Sequence, residues 1–289
     1  MNFLPDEFQA FLEKDCNRCQ FIMQRLSEAG VKSTIVSIGE SKHILVQFNR
    51  TAYNPMFKIK TVLVHYDRVA NSPGANDNSA AVFQIMDWAI RLSKYQGVHN
   101  IRIFFTDGEE IGSVTEQGAF GIATKFRNLG ILNDDVYVFD CCGRGDVPIL
   151  SKAGSNSGDI VFRKKFNSLI ERTKKLLRDV SPQKWLSLPM PYSDNAGFIA
   201  CGIPAVAITI LPEQEATLFL RQLQKHKDLE TAVIKNASTQ QSDYEVTEKL
   251  PITWRMLHTE QDNCASLTPE AFKLMNQLLD SLAELKSIP

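Results

Sequence analysis

Two histidines and a set of carboxylates stand where hydrophobic runs of this chain end. Thr61-Val62-Leu63-Val64 runs into His65-Tyr66-Asp67, and Ile101-Arg102-Ile103-Phe104-Phe105 into Asp107-Gly108-Glu109-Glu110. Val136-Tyr137-Val138-Phe139 runs into Asp140, and Ile252-Thr253-Trp254-Arg255-Met256-Leu257 into His258. Asp77 lies in the turn-rich stretch Pro73-Gly74-Ala75-Asn76-Asp77-Asn78. Imidazole nitrogen and carboxylate oxygen are both ligands of borderline divalent cations such as zinc. A two-metal hydrolase needs a shared carboxylate, one or two histidines, terminal carboxylates and a base beside the activated water. His65, Asp77, Glu109, Glu110, Asp140 and His258 supply every part. Asp67 is spaced to accept a hydrogen bond from His65 and fix its tautomer, or is a solvated loop acid.

Taken singly, each of these signals is weak. A lone histidine after a strand is more often structural, and His43, His99 and His226 are read that way. Asp-Gly-Glu-Glu alone is an acidic turn, and Asp140 alone could cap a helix. Their ordered appearance at successive run ends gives the set its weight. The six cysteines are a separate matter. Cys16-x-x-Cys19 and Cys141-Cys142 could be combined into a four-thiolate zinc site, but the first pair falls within an amphipathic pattern, not on a turn. Small buried hydrophobes in a reducing compartment are the better reading.

The runs that carry the candidate ligands are rich in β-branched and aromatic residues. They read as strands buried on both faces, with Ile203–Ile210 as a fifth after Ser193-Asp194-Asn195. Helical spacing is expected from Leu4 to Leu26, ending at Gly30, and again over 79–92, 119–129 and 159–180. Thr268-Pro269-Glu270 opens a final helix. Ser33–Ser37 and His43–Phe48 read as a hairpin at a sheet edge. Strands alternating with helices imply a three-layer α/β/α fold around a mixed, mostly parallel sheet. In such sheets ligands bind beyond the carboxyl ends of the strands, where the candidate residues fall. We expect a single domain over residues 1–289. A polar excursion at about 213–250 returns to a strand before His258 and is a candidate cover for the site.

Composition narrows the function classes. The chain has 289 residues, 44% hydrophobic and 22% charged, with a net charge of −1. This is ordinary globular composition, and neither a nucleic-acid nor a membrane partner is expected. No run is long enough to span a bilayer. Acids at Asp6, Glu7, Glu13 and Asp15 interrupt any apolar core near the start, so no signal peptide is read and a cytoplasmic location is expected.

The segments Val64-His65-Tyr66-Asp67, Pro73 to Ala80, Asp107-Gly108-Glu109-Glu110, Tyr192-Ser193-Asp194, Cys201-Gly202-Ile203-Pro204-Ala205 and His258-Thr259 with Asp262 together resemble the M28 family of zinc aminopeptidases, in that family's linear order. The resemblance covers about residues 60–265. It implies two zinc ions, with cobalt or manganese as substitutes, bridged by Asp77. His65 and Asp140 complete one metal's protein ligands, and Glu110 and His258 the other's. Glu109 becomes the general base toward a hydroxide shared by the metals, and the peptide after Asp77 is cis. The implied activity is removal of N-terminal residues from peptides or small amides. Related glutaminyl cyclases share the scaffold and use one zinc, and some relatives are non-catalytic binding proteins. The chain departs from the family pattern at Asn195, where histidine is usual, and in the link Ile111 to Gly118, which is longer than the usual short glycine-rich one. Oligomeric state and side-chain preference are not encoded in any motif.

Overall fold

The computed structural model describes residues 3–154, 157–236 and 244–288. The chain opens with helices α1 (Phe8–Leu12) and α2 (Arg18–Glu28), then the hairpin β1 (Lys32–Ile38) and β2 (Ser41–Gln47). Strand β3 (Lys60–His65), helix α3 (Ala80–Lys94), strand β4 (Ile101–Thr106), helix α4 (Gly118–Asn128) and strand β5 (Asp135–Phe139) follow. Next come β6 (Val147–Ser151), α5 (Ile160–Val180), β7 (Leu186–Leu188), α6 (Asn195–Ala200) and β8 (Ala205–Leu211). The remainder is helical: α7 (Glu213–Lys225), α8 (Leu229–Asn236), α9 (Tyr244–Thr247), α10 (Ile252–Met256) and α11 (Pro269–Glu284).

The strands form one eight-stranded sheet in the order β1-β2-β4-β3-β5-β8-β6-β7. Its centre, β4-β3-β5-β8, is parallel, and both flanks add antiparallel pairs. Alternation along the central strands feeds two cores. Val62, Val64, Tyr137, Phe139, Val206, Ile208 and Ile210 face the layer of α2, α3, α5 and α11. Leu63, Phe104, Val136, Val138, Ala205 and Ala207 face the layer of α4, α6 and α7. Two covered faces explain why these strands read as unbroken apolar runs, each large side chain contributing about 1.5–3 kcal/mol on burial. The three-layer architecture is therefore as expected. Because β4 and β5 lie on opposite sides of β3, the chain reverses direction across the sheet there and leaves a crevice beyond the carboxyl ends of β3 and β5.

Two readings need correction. The run 252–257 is not a strand: it forms α10, whose first turn donates Trp254 N–H and Arg255 N–H to Pro251 O at 3.1 Å each. Its β-branched and aromatic content resembles a strand, yet Ile252 is exposed and Trp254 packs edge-on against Phe219 with ring centroids 5.1 Å apart. Packing overrides propensity here. The expected first helix is also two helices, because the chain turns at Glu13 and restarts where the Asn17 side chain accepts Gln20 N–H. The excursion after Glu213 is helical at both ends and returns to α10, and its polar stretch Ala237–Asp243 lies outside the described residues.

Candidate metal centre

β3 delivers His65, fully buried, at its last position. Its Nε2 lies 3.2 Å from Asp77 Oδ1 and 3.5 Å from Asp140 Oδ1, where Asp140 directly follows β5. Its Nδ1 faces Asp67 Oδ1 at 3.6 Å. The other oxygen of Asp67 accepts Glu110 N–H at 3.0 Å, so Asp67 links the imidazole to the loop after β4. His258, just beyond α10, places Nε2 3.3 Å from Asp77 Oδ2 and 3.1 Å from Glu110 Oε2. Asp77 thus turns one oxygen to each histidine. Donor atoms of His65, Asp77 and Asp140 cluster within 4.8 Å of one another, as do those of Asp77, Glu110 and His258, and of His65, Glu109 and Glu110. All seven residues singled out from the sequence are brought together.

The Asp77 loop is held by its neighbours. Gly74 is left-handed at φ 65°, and a Cβ there would sit 2.6 Å from Asp77 O. The Asp77–Asn78 peptide is cis, as the resemblance implied. Asn76 Oδ1 accepts Gly143 N–H at 2.7 Å, while Asn78 donates to Phe139 O at 2.9 Å and accepts Cys141 N–H at 3.3 Å. The two asparagines therefore clamp the Asp77 loop to the end of β5, where Asp140 begins. Asp262 accepts the N–H groups of Asn76 and Asp77 at 2.7 and 3.1 Å. The glutamate loop is set by Gly118, where any Cβ would collide with Asp107 O. That close approach lets Gln117 Nε2 donate to Glu109 O at 2.6 Å and reach Glu109 Oε1 at 3.3 Å.

The sequence model described as Peptidase family M28 matches residues 50–283, most of the chain. The chain belongs to peptidase family M28. A search among curated proteins finds no match. Similar solved structures include the LapA aminopeptidase of Legionella pneumophila, with TM-score 0.58, 15% identity and coverage of 98% of this chain and 66% of that one. A Zn-dependent exopeptidase from Parabacteroides distasonis gives TM-score 0.61 at 14% identity, covering 96% of this chain and 95% of that one. A glutaminyl cyclase of Tannerella forsythia gives the same score and identity, with coverage of 97% and 96%. At these identities the likeness shows a shared fold. The chain spans 48% to 66% of the length of the aminopeptidase chains it matches.

The electrostatics of this M28 chain fit bound cations. Burial opposes protonation of His65, but the carboxylates of Asp140, Asp67 and Asp77 around the ring outweigh it and hold its pKa well above the ordinary value. Asp77 and Glu110 push His258 up to about 11. Burial raises Glu109 well above the usual carboxylate range, and burial together with the charge of Asp77 raises Glu110 to about 7. Asp77, though buried, is held below that range by the two histidines. Four carboxylates crowded into a protein crevice demand positive charge, which protonated imidazoles only partly supply. Both nitrogens of His65 and Asp67 Oδ1 are buried without a well-formed hydrogen bond. Nitrogen and oxygen donors in two groups that share one carboxylate are the chemistry of zinc.

Some residues at the site had no assigned role in the sequence. Asp262, quoted within a motif, fixes the Asp77 backbone. Asp194 is fully buried and accepts a hydrogen bond from Thr106, the residue after which the glutamate loop begins, and burial raises its pKa to about 6. Asn195 spends its carbonyl oxygen on Ser193 N–H at 3.3 Å. His43 and His99 are structural: each accepts a backbone N–H on Nδ1, from Asp107 and Ile101. His226 caps the end of α7 on the surface. Among the described residues the cysteines are free, and none falls in a candidate metal cluster. Among the described residues no helix is long and apolar enough to cross a membrane.

Proposed function

We propose that this chain is a zinc-dependent exopeptidase that removes N-terminal residues from peptides. The observation that carries the reading is the split of Asp77, with Oδ1 toward the His65–Asp140 group and Oδ2 toward the Glu110–His258 group. His65, Asp77 and Asp140 would hold one ion, and Asp77, Glu110 and His258 the other. When bound, such a pair lowers the pKa of water toward ~7 and polarises the scissile carbonyl. The chain's own groups do the rest. Asp67 orients His65 through Nδ1 and, through Glu110 N–H, keeps the glutamate loop in register with it. Glu109, next to a ligand yet outside the two shared groups, takes a proton from the attacking water. It then delivers that proton to the leaving amine, which balances the cleavage. The surrounding carboxylates attract the free ammonium end of a peptide, which favours attack at the first peptide bond.

Cyclisation of an N-terminal glutamine by a single-zinc site is the second reading. It is kept open by the Tannerella forsythia cyclase, which this chain matches over nearly its full length, as it does the Parabacteroides distasonis exopeptidase. Zinc content by plasma mass spectrometry, paired with assays on aminoacyl amides and on N-terminal glutaminyl peptides, separates the two. Two ions per chain and released amino acid support hydrolysis; one ion and a pyroglutamyl product support cyclisation. Glu109→Gln should keep the metals and lose about 10²–10⁴-fold in turnover. Unchanged turnover would remove Glu109 from its role.

A further inference from the structure

The residues that carry His258 are held from both sides. On the C-terminal side, Asp262 binds the Asp77 loop, and Thr259 O accepts the Ser72 hydroxyl at 3.1 Å. On the N-terminal side the anchor is a charged pair outside the candidate ligand set. Glu215, nine-tenths buried in the first turn of α7, accepts Thr253 N–H on Oε2 at 2.7 Å, which caps the start of α10. Its other oxygen accepts from Arg144 at 3.2 Å. Arg144 also donates Nε–H to Thr253 Oγ1 at 3.1 Å and a second N–H to Ser266 O at 3.0 Å. Arg144 itself sits four residues after Asp140, on the segment clamped to Asn76 through Gly143. One guanidinium therefore ties the loop of one half-site to both ends of the segment that bears the histidine of the other.

We propose that Arg144 and Glu215 are positioning residues for His258, and that they set the affinity of the Glu110–His258 half-site without touching a ligand. This rests on the two-ion reading above. The selectivity follows from the supports. His65 and Asp140 are fixed by central strands and do not need the pair. His258 follows a five-residue helix, has a left-handed φ of 63° and has a half-exposed side chain, so its place depends on what holds α10. Arginine donates here along three directions, which lysine cannot reproduce.

The test is zinc titration of the full chain by calorimetry, with metal content after desalting, for wild type, Arg144→Ala, Arg144→Lys, Glu215→Gln and His258→Ala. Thermal unfolding of the metal-free proteins monitors folding. Wild type should bind two ions. Arg144→Ala and Glu215→Gln should weaken one ion about 10–100-fold and leave the other unchanged, as His258→Ala does more fully. Arg144→Lys should recover little. Two ions of unchanged affinity in Arg144→Ala, or both weakened equally in a folded protein, would overturn the proposal. If Arg144→Ala does not fold, Glu215→Gln, which keeps an oxygen for Thr253 N–H, decides in the same way. A wild type holding one ion would sink the two-ion reading instead, and the pair would then stand or fall on whether Arg144→Ala weakens that ion. A wild type holding none overturns both.

Discussion

His65 and His258 face the same carboxylate from different supports. His65 ends a central strand, is fully buried and meets Asp140 from the end of neighbouring β5. His258 follows a short helix, and its side chain is 54% exposed. A ligand placed by a sheet is fixed by the core that forms around it. A ligand placed by a loop is only as fixed as its polar anchors. One half of the site should therefore share the stability of the fold, and the other should be locally adjustable.

The comparison breaks most sharply at the residue common to both halves. Asp77→Asn should remove both ions at micromolar zinc and lower turnover by more than about 10³-fold. Retention of one tight ion, seen by plasma mass spectrometry, would mean that Asp77 is not shared. Stability separates the halves next. In metal-free protein unfolded by urea, His65→Ala should cost about 2–4 kcal/mol, because it hollows a closed part of the core. His258→Ala should cost less than about 1 kcal/mol, as is usual for a half-exposed side chain. Equal losses would deny the difference in support.

The remaining buried histidines sharpen the same point. His43 and His99 are as buried as His65 but lack its ring of carboxylates, and burial lowers both to about 4. Their unfolded value lies near 6.5. Between those values the unfolded chain binds more protons, so stability falls as pH drops from 6.5 toward 4 and is unaffected above. His99→Asn should remove about 1–3 kcal/mol of that acid loss, measured as urea midpoint against pH in metal-free protein. An unchanged pH profile would show that His99 is protonated in the fold. The smallest effect concerns the glutamate loop. Gln117→Ala should lower kcat about 10-fold with zinc content unchanged, and should add nothing in a Glu109→Gln background.

How much of this was legible in the sequence follows from the same division. The central strands read correctly because two buried faces leave a local mark, a run of Val, Ile and aromatic residues that stops at a candidate ligand. Residues 252–257 carry a similar mark for a different reason. Trp254 and Thr253 are buried against α7 and Glu215, so the run records packing of a short helix and not membership of the sheet. The polar anchors left no local mark at all. Asp262 binds Asn76 across 186 positions, and Arg144 binds Thr253 across 109. An aspartate or arginine in a loop looks the same whether it is solvated or holds a ligand's backbone. Gln117 is the intermediate case: the lengthened link was visible as a departure, but not its return to Glu109.

The sequence by itself determined the candidate ligand types, their order along the chain and the rim on which strands deliver most of them, because alternation and burial are written within a few residues. Tertiary structure alone decided which histidine each oxygen of Asp77 faces, that Asp67 joins His65 to the glutamate loop, and that His258 arrives from a helix. Those outcomes depend on hydrogen bonds between distant polar groups, whose partners are chosen by how the chain closes and not by any pattern near them.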